Sequence, residues 1–282
     1  MPVWSDRRLP WRVAVVAAAA GLAAQIGYPL SSGSARDLLT VAVVLLFATA
    51  CVAHAVHSRG PRWASAMVSI TAGGGLLAEF VGTATGFPFG GYVYTTAGGL
   101  GPEVSGVPLL IGAAWTFGAY PAWCVARALL GPGHRIAMVP VAAWGLASWD
   151  LYLDPQMVAD SRWSWADPAP ALPGLPGIPL SNYVGWLVVG LVMATALHGL
   201  DRALHAPGTV PVDISGDGLP VALFCWTWLG SAFAHAAFLE LPVSAGYGLV
   251  GMGLVGVPLL RRLARAPGTG VHRARQQQWS CP

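Results

Sequence analysis

Leu38-Leu39-Thr40-Val41-Ala42-Val43-Val44-Leu45-Leu46-Phe47-Ala48-Thr49-Ala50-Cys51-Val52-Ala53 contains no charged side chain. An α-helix crossing the hydrocarbon of a bilayer needs about 20 predominantly apolar residues, and with its flanks this run extends from 37 to 57. Similar runs lie near 12–30, 64–82, 106–130, 136–153, 180–200, 219–239 and 243–260. The last two are separated only by Glu240-Leu241-Pro242, so the count is eight, or seven if that turn does not break the chain. Composition agrees: 55% of the 282 residues are apolar, 10% are charged, and the mean hydropathy is +0.59, which a soluble fold could not bury. The expectation is an all-α, polytopic transmembrane helix bundle, one integral domain over 1–265 followed by a short basic tail, 266–282, without fixed structure.

All fifteen basic residues are arginine. With the N-terminus inside, Arg7, Arg8, Arg12, Arg59, Arg62, Arg127, Arg135, Arg202, Arg261, Arg262, Arg265, Arg273 and Arg275 fall on the cytoplasmic side, and only Arg36 and Arg162 fall outside. That bias predicts cytoplasmic N- and C-termini in a multi-pass protein of the cell membrane. Arg7-Arg8 followed by Val13 to Ala20 also fits an export signal, but as a first span the segment keeps the alternation. The arginines are spread over several loops, so the net charge of +3 is a topological signature and not a nucleic-acid surface. Cys51, Cys124, Cys225 and Cys281 have no metal-site or disulfide spacing, and the first three read as small buried side chains.

Ionisable groups within spans cost a few kcal/mol each and usually mark sites. Glu79, Asp150, Asp154, His235 and Glu240 fall in the final turns of the third, fifth and seventh helices, which places them at one depth near the outer face. Glu240 reads as a headgroup contact. Asp150 and Asp154 are four apart and share a face if the helix persists to Pro155. Two carboxylates so placed, away from water, cannot both remain charged cheaply, and one is then available as a proton-donating acid.

Shifting the chain by 71 positions lays Gly106-Val107-Pro108-Leu109 and Trp115 on Gly177-Ile178-Pro179-Leu180 and Trp186, and Glu79 on Asp150. This suggests a duplicated plan: an acid-bearing helix, a long outer loop, then a helix entered through Gly-x-Pro-Leu, with Pro at a first-turn position. The loops, 83–105 and 155–179, are rich in Gly, Pro and aromatics, and loops of that length without secondary structure are commonly functional or disordered. They read either as a lid over the acids or as an interfacial aromatic belt.

Glu79-Phe80-Val81-Gly82, Thr85-Gly86-Phe87-Pro88-Phe89-Gly90-Gly91-Tyr92, Leu100-Gly101-Pro102, Gly106 to Leu110, Tyr120-Pro121-Ala122-Trp123, Asp150 to Val158 and Ile178-Pro179-Leu180-Ser181-Asn182-Tyr183 together resemble the membrane-bound carotenoid biosynthesis family, which includes carotenoid 1,2-hydratases and bisanhydrobacterioruberin hydratase. The resemblance runs from about residue 76 to 240. It implies addition of water across the terminal double bond of an acyclic carotenoid end, giving a tertiary alcohol, without metal or redox cofactor. Such chemistry needs an acid to protonate the alkene, stabilisation of the tertiary cation, and a steered water. Asp150 is the expected donor, with Glu79 and Asp154 as partners. Trp149, Tyr152, Phe80 and Trp115 offer aromatic faces worth roughly 0.5–2 kcal/mol each to a cation. Tyr92 joins them on the substrate side, Asn182 is a polar positioning group, and His235 or an ionised carboxylate orients the water. The expected partners are the acyclic polyene, the bilayer and other membrane enzymes of carotenoid biosynthesis. Two other readings are a magnesium-dependent intramembrane prenyltransferase, with Asp150 and Asp154 as ligands, and a small-molecule transporter.

Overall fold

Eight helical spans follow one another up and down the bundle in a computed structural model that describes residues 8–95, 99–131, 134, 136–204 and 216–265. The expected basic tail, Arg7, Arg135, Arg273, Arg275 and Cys281 lie outside the described residues. Helix α1 (Arg8–Gly27) ends in a 3₁₀ turn, Tyr28–Leu30, and α2 covers Gly33–Arg59. Next, α3 (Pro61–Val68) and α4 (Gly74–Thr85) are fused through a π-helical turn, Ser69–Gly73, into one span. The remaining helices are α5 (Leu110–Leu130), α6 (Met138–Ala159), α7 (Leu180–Leu204), α8 (Gly218–Ala237) and α9 (Pro242–Arg265). The count is eight spans because the chain turns sharply between α8 and α9, with Glu240 in the left-handed region at φ 57° and Pro242 opening α9.

Six of the spans are long and apolar enough to cross a membrane: those of α1, α2, α3–α4, α7, α8 and α9. The other two, α5 and α6, replace aliphatic surface with Trp115, Tyr120, Trp123, Trp144, Trp149, Tyr152 and the two aspartates, and they form the centre of the bundle, with most of α5 buried. Without a hydrophobic force between helices in lipid, close packing through small residues holds such a bundle together. A Cβ at Gly118 would sit 2.6 Å from the Trp149 ring, and one at Gly256 would sit 2.5 Å from the Trp228 ring.

At the end carrying the α2–α3, α5–α6 and α7–α8 connections, a polar network locks five helices together. Arg59 donates twice to Asp217 at 2.8 Å and also bonds Tyr120. Arg127 pairs with Asp201, which also accepts from Trp63 Nε1 at 2.8 Å. His54 lies between Tyr120 Oη and the Gly216 carbonyl, 2.8 Å from each.

At the opposite end the two long connections are not structureless. They form three small antiparallel sheets: β1 (Tyr92–Tyr94) with β4 (Trp163–Trp165), β2 (Glu103–Val104) with β3 (Val107–Pro108), and β5 (Ala171–Leu172) with β6 (Leu175–Pro179). The register Tyr92↔Trp165, Val93↔Ser164, Tyr94↔Trp163 gives the suspected duplication a geometric form. Each residue of β1 lies 71 positions before its counterpart in β4, so the central pair, Val93 and Ser164, are counterparts and the outer pairs exchange. That is the pairing of a pseudo-two-fold axis. The counterpart tryptophans Trp115 and Trp186 also stack on each other, with ring centroids 4.1 Å apart at 19°.

Asp217→Ala is expected to leave Arg59 buried without its carboxylate and to cost about 3–5 kcal/mol. A markedly lower thermal midpoint in detergent, with recovery in the Arg59→Met, Asp217→Leu double variant, is the measured outcome.

Candidate active site

The π turn and Gly75 bring α4 against Trp115 of α5, a contact that leaves no space for a side chain at 75. This approach sets Glu79 beneath the β1–β4 ribbon. Alternation in a strand sends every second side chain to the same face. Tyr92, Trp163 and Trp165 are buried against the helices, while Val93 and Ser164 face outward.

Glu79 accepts from three groups: Tyr92 Oη and Tyr94 Oη at Oε2, the latter at 2.7 Å, and Trp115 Nε1 at Oε1 at 2.9 Å. Burial, with the Glu79 carboxylate adjacent, lifts both phenols far above their ordinary range, so both remain donors. Three donors and acceptor-only geometry are what an ionised carboxylate requires.

Helix α6 continues past Pro155 to Ala159, which stacks Asp150 and Asp154 on one face as the spacing predicts. The side-chain amide of Asn182, in the first turn of α7, donates to Asp150 Oδ2 at 2.8 Å and to Asp154 Oδ2. Trp163 Nε1 donates to Asp154 Oδ1 at 2.9 Å, whereas Asp150 Oδ1 is buried with no hydrogen-bond partner. The site therefore has two unlike halves, a carboxylate with three donors and a carboxylate pair sharing one amide.

Glu79, Asp154 and Asn182 open onto a cavity of about 370 Å³. Its other walls are aromatic and aliphatic, and among them Trp115, Trp149, Tyr152, Tyr92 and His235 were expected on the substrate side. Trp149 stands edge-on to Trp186 at 6.0 Å. Tyr152 donates to the Trp228 carbonyl at 3.0 Å and packs edge-on to His235 at 5.2 Å. His235 is held between Ser244 Oγ at 2.9 Å and Gln156 Oε1 at 3.1 Å.

Two expected residues do not line the cavity. Phe80 follows Glu79 by one position, and about 100° of helical rotation turns it away. Asp150 has no exposed surface and reaches the cavity only through Asn182 and Asp154. Both arginines at this end are engaged: Arg36 with Asp160 at 3.0 Å, and Arg162 with Asp37.

The profile of the carotenoid biosynthesis protein family matches residues 39–255 of the 282. The chain belongs to this family. Among curated relatives, bisanhydrobacterioruberin hydratase from Haloarcula japonica is 33% identical over 131 residues, which is 44% of this chain and 42% of the relative. The match thus spans less than half the length of that hydratase. No solved structure matches.

The cavity of this carotenoid biosynthesis protein also includes Tyr94, Trp163, Trp165, Trp186 and Gln156, none of which the sequence had marked as site residues. A signal existed for the first three, since Tyr-Val-Tyr and Trp-Ser-Trp both alternate with the period of a strand, one repeat apart. Gln156 carries no such signal.

A Cβ at Gly82 would lie 2.8 Å from Phe89 and 3.0 Å from the Tyr92 hydroxyl. Gly82→Ala is therefore expected to keep the helical far-UV spectrum while displacing Tyr92 from Glu79, which near-UV circular dichroism of the aromatic cluster would register as lost intensity.

Proposed function

We propose that the protein is a hydratase that adds water across the terminal carbon–carbon double bond of an acyclic carotenoid end. The observation that carries this reading is the meeting, in one apolar cavity walled by aromatic and aliphatic side chains, of a carboxylate pair short of donors with a separate carboxylate saturated by them. The Asp150–Asp154 pair carries one shared proton, because two adjacent buried charges repel and the pair has only the Asn182 amide and the Trp163 indole as donors. Asp154 faces the cavity and delivers that proton, so the donor role expected of Asp150 passes to Asp154, with Asp150 as the partner behind it. Protonation at the CH carbon of the terminal alkene leaves a tertiary cation on the dimethyl carbon. The faces of Trp115, Trp149 and Trp186 stabilise it, each by roughly 0.5–2 kcal/mol.

Water then adds to the cation and loses a proton. Glu79, held as an anion, attracts the cation electrostatically and takes that proton, and transfer back to the aspartate pair closes the cycle. His235 and Gln156 are polar groups on the wall suited to orient the water. A diphosphate substrate is disfavoured, since Arg36 and Arg162 already neutralise Asp160 and Asp37. The arginine-rich end, with both termini, is assigned to the cytoplasm, and the acids to the opposite face.

Expression in a host that accumulates acyclic carotenoids tests the reading through pigment mass. Wild type is expected to add one water per modified end. Asp154→Asn and Glu79→Gln are each expected to lower conversion by about 10²-fold or more. Full activity in both variants beside an active wild type would eliminate this acid–base site. A gain of prenyl carbons with magnesium dependence would replace hydration by prenyl transfer.

A further inference from the structure

The residues that line the cavity are not equally enclosed, and the exposed ones fall in one place. Ile26 and Leu30, at the end of α1 and its 3₁₀ turn, are 53% and 69% exposed, and Phe233 and Phe238, at the end of α8, are 65% and 46% exposed. The other lining residues are buried or half-buried. A cavity is open where its lining is exposed, so the opening lies between the ends of α1 and α8. All four rim residues are apolar, and both helices belong to spans apolar enough to cross a membrane. The opening therefore faces hydrocarbon and not water. On its inner side Trp226 Nε1 donates to Gln25 Oε1 at 2.8 Å, which ties the two helices together and makes the gap a window.

Volume decides what passes through it. At about 370 Å³ the cavity lies near the bottom of the roughly 300–1,000 Å³ that encloses one drug-sized ligand. A polyene long enough to span a bilayer does not fit, but one of its ends does. We propose that the window between α1 and α8 is a lateral portal, through which one end of a membrane-resident polyene slides from the bilayer to the acids while the rest of the chain stays in lipid. The inference rests on the hydratase reading for its ligand. It adds that the protein senses the reacting end and a short adjoining length, whatever terminates the far end.

Gly230 lines the arm of the cavity behind the window, and the atoms nearest a Cβ there belong to the Trp226 ring, at an ordinary 3.4 Å. Gly230→Phe should occupy that arm without touching Glu79, Asp154 or Asn182. Conversion of the full-length carotenoid is expected to fall roughly tenfold through a raised apparent KM, while a short branched alkene bearing the same end is still hydrated. Separately, a benzophenone amino acid replaces Phe233, or Val192, a 65% exposed residue of α7, in membranes containing the carotenoid. After irradiation, position 233 should yield an adduct of polyene mass and position 192 only lipid adducts. Equal polyene labelling at both positions, or none at 233, overturns the portal, as does unchanged KM in a folded Gly230→Phe protein. If wild type adds no water while labelling at 233 stays selective, the hydratase reading fails and the portal stands.

Discussion

A carboxylate in the hydrocarbon depth of a membrane protein must find hydrogen-bond donors in the protein itself, because no bulk water is there to serve it. Much of the acid end of this bundle follows from that requirement. Glu79 takes its donors from a strand of the connecting segment, Tyr92 and Tyr94, and from the neighbouring helix, Trp115. Asp154 takes one from the counterpart strand, Trp163, and one from Asn182 at the start of α7. The β1–β4 ribbon is thus both roof and solvent substitute. Its inward aromatic face covers the acids, and its O–H and N–H groups supply the hydrogen bonds that bulk water would otherwise give.

The ribbon also explains how two similar halves produce an asymmetric site. Tyr92 and Trp163 are counterparts one repeat apart, and each donates to a carboxylate of its own half. Trp115 and Trp186 are counterparts that stack across the axis. The halves diverge in what surrounds the acid. In the first, a second tyrosine and a tryptophan complete the set of donors around one carboxylate. In the second, an added aspartate one turn along α6 must share a single asparagine amide. Positions one repeat apart thus carry different side chains, which surround Glu79 with three donors and leave Asp150 and Asp154 to share the amide of Asn182.

The two ends of the bundle divide the work of stability and chemistry. The Arg59–Asp217 and Arg127–Asp201 pairs, with His54, Tyr120 and Trp63, match each buried charge with an opposite one, although Arg127 Nε makes no hydrogen bond. At the acid end a carboxylate oxygen of Asp150 is buried without a hydrogen-bond partner, and an apolar cavity lies close by. Membership of the carotenoid biosynthesis protein family is in keeping with a cavity whose walls are aromatic and aliphatic and whose mouth is apolar.

Long apolar runs, the arginine-only loops and the depth of Glu79, Asp150 and Asp154 could be read from the chain because each depends on local composition and on the fixed rise of a helix. The sequence by itself therefore determined a multi-span helical membrane protein with acids near one end, and the family motifs pointed to carotenoid chemistry. Only the tertiary structure decided that Asp154 and not Asp150 faces the cavity, that Phe80 turns away, and that Tyr94, Trp163, Trp186 and Gln156 belong to the site. It also turned the presumed loops into a paired ribbon and separated α8 from α9. The cavity walls depend on contacts between residues 70 or more positions apart, such as Tyr92 with Trp165 or Gln156 with His235. Helical and strand periodicity carry no information over such distances, because the partner is chosen by how whole helices pack.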